Sequence, residues 1–181
     1  MKNYSIEVAG VKRELPIIRI NDKLSIASFV IIGDTEIICA CAKEIAKKMP
    51  DVDILITAEA KGISLTFEIS RLLNMKKFIV ARKSIKPYME SPIIDEAVSI
   101  TTQKKQMLVL NKQDAIELKG KRVAIIDDVI STGESLAAVE RLVEAAGGIV
   151  EAKVAILAEG KASERNDIIF LESLPIFEGD I

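Results

Sequence analysis

Two neighbouring carboxylates, Asp127 and Asp128, precede a run of small and hydroxyl residues, Ser131, Thr132, Gly133, Glu134 and Ser135. A carboxylate pair accepts hydrogen bonds from a vicinal diol. A tight turn of such residues at the start of a helix offers unpaired N–H groups and a partial positive charge, which suit a phosphate. Diol and phosphate together describe a ribose 5-phosphate. The plainer alternative is a solvated acidic turn with Ser131 or Thr132 as an ordinary N-cap. Placement at the end of a buried strand favours the ligand. A second stretch, Glu59, Ala60, Lys61 and Gly62, lies at another strand-to-helix junction and offers backbone N–H groups and one ammonium to an anion. Neither stretch is a Walker loop or a dinucleotide fingerprint. The chain has no histidine, which removes Ser-His and Cys-His catalysis. Cys39 and Cys41, two apart on a helix, do not face each other and read as small buried thiols, with no second ligand cluster for a metal.

The elements that must position these groups follow from periodicity. Residues 123–126 are apolar and rich in β-branched side chains, which predicts a strand buried on both faces. Asp127 and Asp128 fall where that strand should leave the core. Leu136, Val139, Leu142, Val143 and Ala146 share one face of the helix that follows, closed by Gly147 and Gly148. Upstream, the pattern predicts a strand at 53–57, a helix at 63–73 with Ile63, Phe67, Ile69 and Leu73 inward, and a strand at 77–82. Asp34 caps a helix over 35–49 that buries Ile38, Ala42, Ile45 and Met49 and stops at Pro50. Downstream come a strand at 149–157, a polar connection over 159–167 and a short last strand at 168–171. This alternation predicts an α/β fold with a parallel sheet and right-handed crossovers. Ligands of such sheets sit at the carboxyl ends of the strands, so both turns should line one crevice.

Two regions depart from the pattern. Tyr4, Ile6 and Val8 alternate with polar residues as in an edge strand, and 15–20 reads as a second strand around Pro16. Residues 83–106 carry Pro87 and Pro92 and weak periodicity; 98–101 and 107–110 could be arms of a hairpin around Gln103, Lys104 and Lys105. Excursions of this length are often functional lids.

Composition sets the outer bounds. The 181 residues suffice for one sizeable core, a single domain over 1–181. The chain is 49% hydrophobic and 29% charged, with net charge -2, which fits a globular protein. A slightly acidic balance argues against nucleic acid as a general partner. No apolar run approaches a membrane span, and the N-terminus lacks the apolar core of a signal peptide; the expectation is a cytoplasmic protein without a membrane partner.

Residues 123–135 resemble the phosphoribosyl pyrophosphate (PRPP) signature of type I phosphoribosyltransferases. The resemblance extends over about 17–171 and is closest to the purine branch, the adenine and xanthine enzymes. It implies a parallel-sheet α/β fold with helices on both faces, a flexible hairpin lid at about 83–106 and a small hood mainly in 1–34. It implies that Asp127 and Asp128 hold the ribose hydroxyls at the catalytic centre, and that Ser131, Thr132, Gly133, Glu134 and Ser135 hold the 5-phosphate. Glu59, Ala60, Lys61 and Gly62 correspond to the family's pyrophosphate loop. Arg82 and Lys83 resemble its basic pair, and Lys86, Pro87 and Tyr88 the start of its mobile loop. The same likeness assigns pyrophosphate contacts to Arg82, Lys83 and Lys86, lid roles to Tyr88, Lys104 and Lys105, and the base side to Ser28, Phe29 and Val129. A solvated charged face is the alternative for Lys83, Lys86, Lys104 and Lys105, and for Lys104 and Lys105 the two readings are even. Val30 and Ile31 supply no amide where the xanthine branch uses one, and Glu90, Asp95 and Glu96 are candidates for the acidic loop residue of the adenine branch. The implied activity is transfer of the 5-phosphoribosyl group from PRPP to a purine base, adenine first, for purine salvage. Mg²⁺ would come bound with PRPP rather than on side chains alone, and the implied assembly is a homodimer. A PRPP- or nucleotide-sensing regulator and a non-catalytic paralogue are the alternatives.

Overall fold

The apolar run at 123–126 lies in the middle strand of a five-stranded parallel sheet. In the computed structural model, which describes residues 2–98 and 105–179, that strand is β8 (Arg122–Ile130). Before it come β1 (Asn3–Val8), β2 (Val11–Asn21), β3 (Leu24–Ala27), α1 (Thr35–Lys48), β4 (Ile54–Ala58), α2 (Ile63–Leu72), β5 (Ile79–Ala81), β6 (Ile93–Val98), β7 (Lys105–Leu110) and α3 (Lys112–Leu118). After it come α4 (Glu134–Ala145), β9 (Ile149–Glu159), β10 (Glu172–Leu174) and β11 (Ile176–Glu178). The parallel sheet has the order β10-β9-β8-β4-β5. From β4 the chain steps outward to β5, then returns to lay β8 on the other side of β4. The carboxyl ends of β4 and β8 therefore flank the point where the winding reverses, the usual place for a ligand crevice.

Strand alternation divides the core in two. Ala124 and Ile126 of β8 face one cluster with Ile37, Cys41 and Ile45 of α1 and Leu65 and Ile69 of α2. Val123 and Ile125 face the other, with Leu118 of α3 and Leu136, Val139, Leu142 and Val143 of α4. Helices thus cover both faces. The cap at α1 is as expected: the Asp34 side chain accepts from the Ile37 N–H. α4 ends in a Schellman turn, in which Gly147 (φ +78°) donates to the Glu144 carbonyl and Gly148 to that of Val143.

A second, antiparallel sheet of order β1-β2-β3-β11 stands beside the first. Arg13 on β2 joins it to α1 through Asp34 (2.8 and 2.9 Å) and Glu36 (2.7 Å). Ile6, Val8, Leu15 and Phe29 pack into the α1–α2 cluster.

Several expectations are corrected. The strand does not end before the carboxylates; it continues through them to Ile130, because Val129 and Ile130 pair with Leu157 and Ala158 of β9. Phe67 does not point inward but is 57% exposed, since α2 buries Leu65, Thr66, Glu68, Ile69 and Ser70 instead. The first hairpin arm is 93–98 rather than 98–101; its partner β7 starts at Lys105. Residues 99–104, including Gln103 and Lys104, lie outside the described residues. The foot of this hairpin is core, with Leu108, Val109 and Leu110 buried and Asp95 held by Arg141 of α4 at 2.7 and 2.9 Å. Residues 168–171 make only one bridge, Val154 to Ile169, and the strand there is Glu172–Leu174. The strand β11 and the helix α3 were not foreseen. Among the described residues no helix is long and apolar enough to cross a membrane.

Candidate active site

At the carboxyl ends of β4 and β8 lies a cavity of about 350 Å³. Its lining includes Glu59, Ala60 and Lys61 from the β4–α2 turn, Lys83 after β5, Leu108 of the hairpin, Asp127, Asp128 and Val129 of β8, and Ser131 to Ser135 before and into α4. The two turns named from sequence therefore share one crevice.

Consecutive residues on a regular strand point to opposite sides. The carboxylates escape this because β8 slips phase where they stand. Ile126 faces the α1–α2 cluster, and so does Val129 three residues on, whereas Ile130 faces the α4 cluster. Asp127 keeps part of its surface in the crevice, while Asp128 is 1% exposed. The Asp128 N–H donates to Asp127 Oδ1 at 2.9 Å. Burial, and then the neighbouring Asp128 charge, hold the Asp127 carboxyl well above the ordinary carboxylate range, towards neutrality. Lys61 Nζ stands 2.7 Å from Asp128 Oδ2. That oxygen is buried and has no well-aligned hydrogen-bond donor. The contact is thus a charge contact rather than a directed bond, and it leaves Asp128 Oδ2 able to accept from a ligand hydroxyl.

The turn before α4 is built from bare backbone. Gly133 is the N-cap residue with φ +83°, and no side chain caps the helix. The nearest approach is the Glu134 N–H to Thr132 Oγ1 at 3.5 Å, at the limit of a hydrogen bond. The ordinary N-cap reading of Ser131 and Thr132 is therefore not what forms. The N–H groups of the first turn remain for an anion.

The β4–α2 turn is built from side-chain contacts. The peptide between Glu59 and Ala60 is cis. Glu59 Oε2 accepts the Lys83 N–H at 2.9 Å and Glu59 Oε1 pairs with Arg82 Nη2 at 3.2 Å. The Lys83 N–H first, then the Arg82 charge, keep this carboxyl below its usual range against the cost of burial. Glu59 thus ties the turn to the end of β5. A Cβ on Gly62 would lie 2.3 Å from Thr57 Oγ1 and 3.2 Å from the Ile126 carbonyl, so only glycine lets the turn sit on the ends of β4 and β8.

Of the other described residues named from sequence, Val129 alone is part of this cavity lining. Gly62 is buried beneath it, and Arg82 is occupied with Glu59. Lys86 Nζ donates to Ser84 Oγ at 2.6 Å, and Tyr88 is 64% exposed. The Ser28 N–H donates to the Pro16 carbonyl, and Phe29 is 6% exposed within the α1–α2 cluster. Val129, which lines the cavity, packs against that same cluster. Of Lys105 the backbone alone is described, at the start of β7.

Sequence reasoning missed Arg165. It follows the turn after β9, and its Nη1 lies 2.7 Å from where a Cβ on Gly133 would be. An arginine after a polar connection gives no local signal; the closing of the chain brings it to the turn.

The model of the phosphoribosyl transferase domain matches residues 32–175. The adenine phosphoribosyltransferase of Methanococcus maripaludis strain C7 is 33% identical over 124 residues, 67% of this chain and 69% of that protein. The hypoxanthine/guanine phosphoribosyltransferase of Ferroglobus placidus is 33% identical over 115 residues, 64% of this chain and 57% of that protein. The match thus spans little more than half the length of that relative. Among solved structures, the adenine phosphoribosyltransferase of Thermoanaerobacter pseudethanolicus superposes with a TM-score of 0.67 at 22% identity, covering 95% of each chain. That of Saccharomyces cerevisiae, crystallised with adenine and an imino-altritol bisphosphate, gives 0.64 at 16% identity over 94% of this chain and 92% of that one. These likenesses establish the same fold.

Proposed function

The chain belongs to the phosphoribosyl transferase domain family, and on that premise we propose that it transfers the 5-phosphoribosyl group from PRPP to a purine base, adenine first, releasing pyrophosphate. The observation that carries this is the single crevice in which the Asp127–Asp128 pair, the bare backbone turn before α4 and the Lys61 turn meet. Asp127 and Asp128 accept from the ribose hydroxyls, Lys61 leaving Asp128 as they arrive. The N–H groups of 131–135 take the 5-phosphate. Lys61 and Lys83 face the pyrophosphate, and Glu59 holds Arg82 and the Lys83 backbone in place beside it. Val129, with the Ser28–Phe29 segment behind it, forms the base side. The ribose passes through an oxocarbenium-like state, which positioned charge stabilises without a covalent nucleophile.

Mg²⁺ bound with PRPP would neutralise pyrophosphate as it leaves. The carboxylates of Asp127 and Asp128 and the buried, undonated Asp128 Oδ2 suit a magnesium-bearing diol. Among the described residues no group of three or more His, Cys, Asp or Glu side chains is placed to hold a metal ion. The hairpin and the Tyr88 segment before it would close over the crevice and exclude water. Exposed Val30, Ile32 and Phe67 support a homodimer, and unpaired Cys39 and Cys41 suit the cytoplasm.

The test is to incubate the protein with PRPP, Mg²⁺ and each purine base in turn and to measure pyrophosphate. Release with adenine is expected; release with hypoxanthine or guanine alone would move the base to that of the other relatives. No release with any base, with PRPP still bound, would favour the sensing or non-catalytic alternative.

A further inference from the structure

Arg165 is held with one edge turned to the phosphate turn. Its Nε and Nη2 donate to Asp167 Oδ1 and Oδ2 at 2.9 and 2.7 Å, a bidentate fork that fixes the plane of the guanidinium. Asp167 is itself shared with Lys153 (3.4 Å), and Lys153 pairs with Glu140 of α4 at 2.7 Å. The anchor of the fork is therefore tied to the helix whose first turn the arginine faces. Nη1 is left over, and it is the atom that lies 2.7 Å from where Gly133 would carry a Cβ.

This is a costly place for a cation. The N-terminus of the 12-residue helix α4 already carries partial positive charge, and no side chain caps it. Asp167, then Glu140, offset the guanidinium charge from behind. They do not supply an acceptor to Nη1. An anion in the turn would.

We propose that Arg165 is a further 5-phosphate-binding residue, whose Nη1 donates to a phosphate oxygen held by the 131–135 turn, with Asp167 as the positioning residue that aims it. This rests on the reading of that turn as the 5-phosphate site. It adds a charge-assisted bond from a segment far along the chain to a turn otherwise made of backbone N–H groups. It also gives Gly133 a second requirement: a side chain there would displace the guanidinium as well as oppose the left-handed backbone.

The test uses the full chain and two probes, ribose 5-phosphate and inorganic pyrophosphate with Mg²⁺, each titrated by calorimetry. Arg165→Gln should weaken ribose 5-phosphate roughly ten- to a hundredfold, the size of one hydrogen bond between charged groups, and leave pyrophosphate affinity unchanged. Asp167→Asn keeps the guanidinium but loosens its aim, so its loss should be smaller. Arg165→Lys should recover part of the affinity and, in turnover, raise the PRPP KM with the base KM unmoved. Unchanged ribose 5-phosphate affinity in Arg165→Gln overturns the proposal while the site reading stands. Equal loss of both probes with a lowered melting temperature overturns it in favour of a purely structural arginine. If the unaltered chain binds pyrophosphate but no ribose 5-phosphate, the assignment of the turn itself fails, and the role of Arg165 with it.

Discussion

The two turns that face each other across the crevice solve the same problem in opposite ways. The turn before α4 is bare backbone: Gly133 in a left-handed conformation, no side-chain cap, N–H groups open. The turn after β4 is self-neutralised: Glu59 with Arg82 and the Lys83 N–H, Lys61 with Asp128, and Gly62 wedged onto Thr57. A phosphate entering the first turn meets donors already aimed. A pyrophosphate entering the second must first separate charges that pair with one another. The first is therefore a preformed site, and the second is one that rearranges.

The largest effect should come from the wedge. Gly62→Ala drives a methyl into the buried Thr57 side chain at Oγ1 and onto the Ile126 carbonyl, a backbone atom that cannot swing aside. We expect a loss of ~2–3 kcal/mol in a denaturant titration, the upper range for overpacking, and a displaced Lys61. Gly133→Ala meets only a side-chain atom, Arg165 Nη1, and should cost ~1–2 kcal/mol for the left-handed residue. If the two variants lose equal stability, the contrast between a wedged and an open turn is wrong.

Asp128→Asn comes next. It exchanges a carboxylate for an amide with fewer acceptor sites, and PRPP affinity should fall by ~1.5–3 kcal/mol. Unchanged affinity in a folded variant removes Asp128 from the site. Lys61→Met sharpens the rearrangement. The ammonium is half-exposed but its partner Asp128 is buried, so removing the cation leaves a buried charge and should lower stability. Pyrophosphate binding should weaken, while ribose 5-phosphate affinity should hold or rise, because Asp128 no longer has a competing cation. A parallel fall for both ligands would show that Lys61 merely supports the fold.

A pH dependence should accompany these effects. The Asp127 carboxyl is raised in the folded chain by burial and by Asp128. The folded state therefore keeps a proton that the unfolded chain has released, and stability should fall as pH climbs from the ordinary carboxylate range towards neutrality. PRPP binding should run the other way, strengthening over the same window as Asp127 becomes an acceptor. Asp127→Asn should flatten both profiles; a slope that survives the substitution belongs to another group.

Much of the bare turn was legible because its signals are local. An apolar β-branched run, two carboxylates, small residues around one glycine and an amphipathic helix occur in immediate succession, and each is read from its own neighbours. The self-neutralised turn was legible in position but not in state. Nothing about Glu59 in the sequence says that its partners are Arg82 and the Lys83 N–H, because that pairing needs β4 and β5 side by side in register, Ala58 against Ala81. Phe67 misled for a related reason: either face of a short helix can satisfy a 3.6-residue period, and the packing of α2 on α1 chose the face with Leu65 and Ile69.

The sequence by itself determined the chemistry on offer, the strand–turn–helix units around the two turns, and the two strand ends at which ligands would bind. These depend on properties of neighbouring residues: period, branching, turn propensity and charge. Only the tertiary structure decided which groups meet. It laid β8 beside β4, with Ile126 opposite Thr57, and so made one crevice of two turns. It slipped the phase of β8 so that adjacent carboxylates face the same space, added the chain's last strand β11 to the antiparallel sheet that β1 begins, and carried Arg165 to Gly133. Such contacts join residues far apart in the chain. They are selected by burying both faces of one sheet at once, a condition on the whole core that no local window of residues contains.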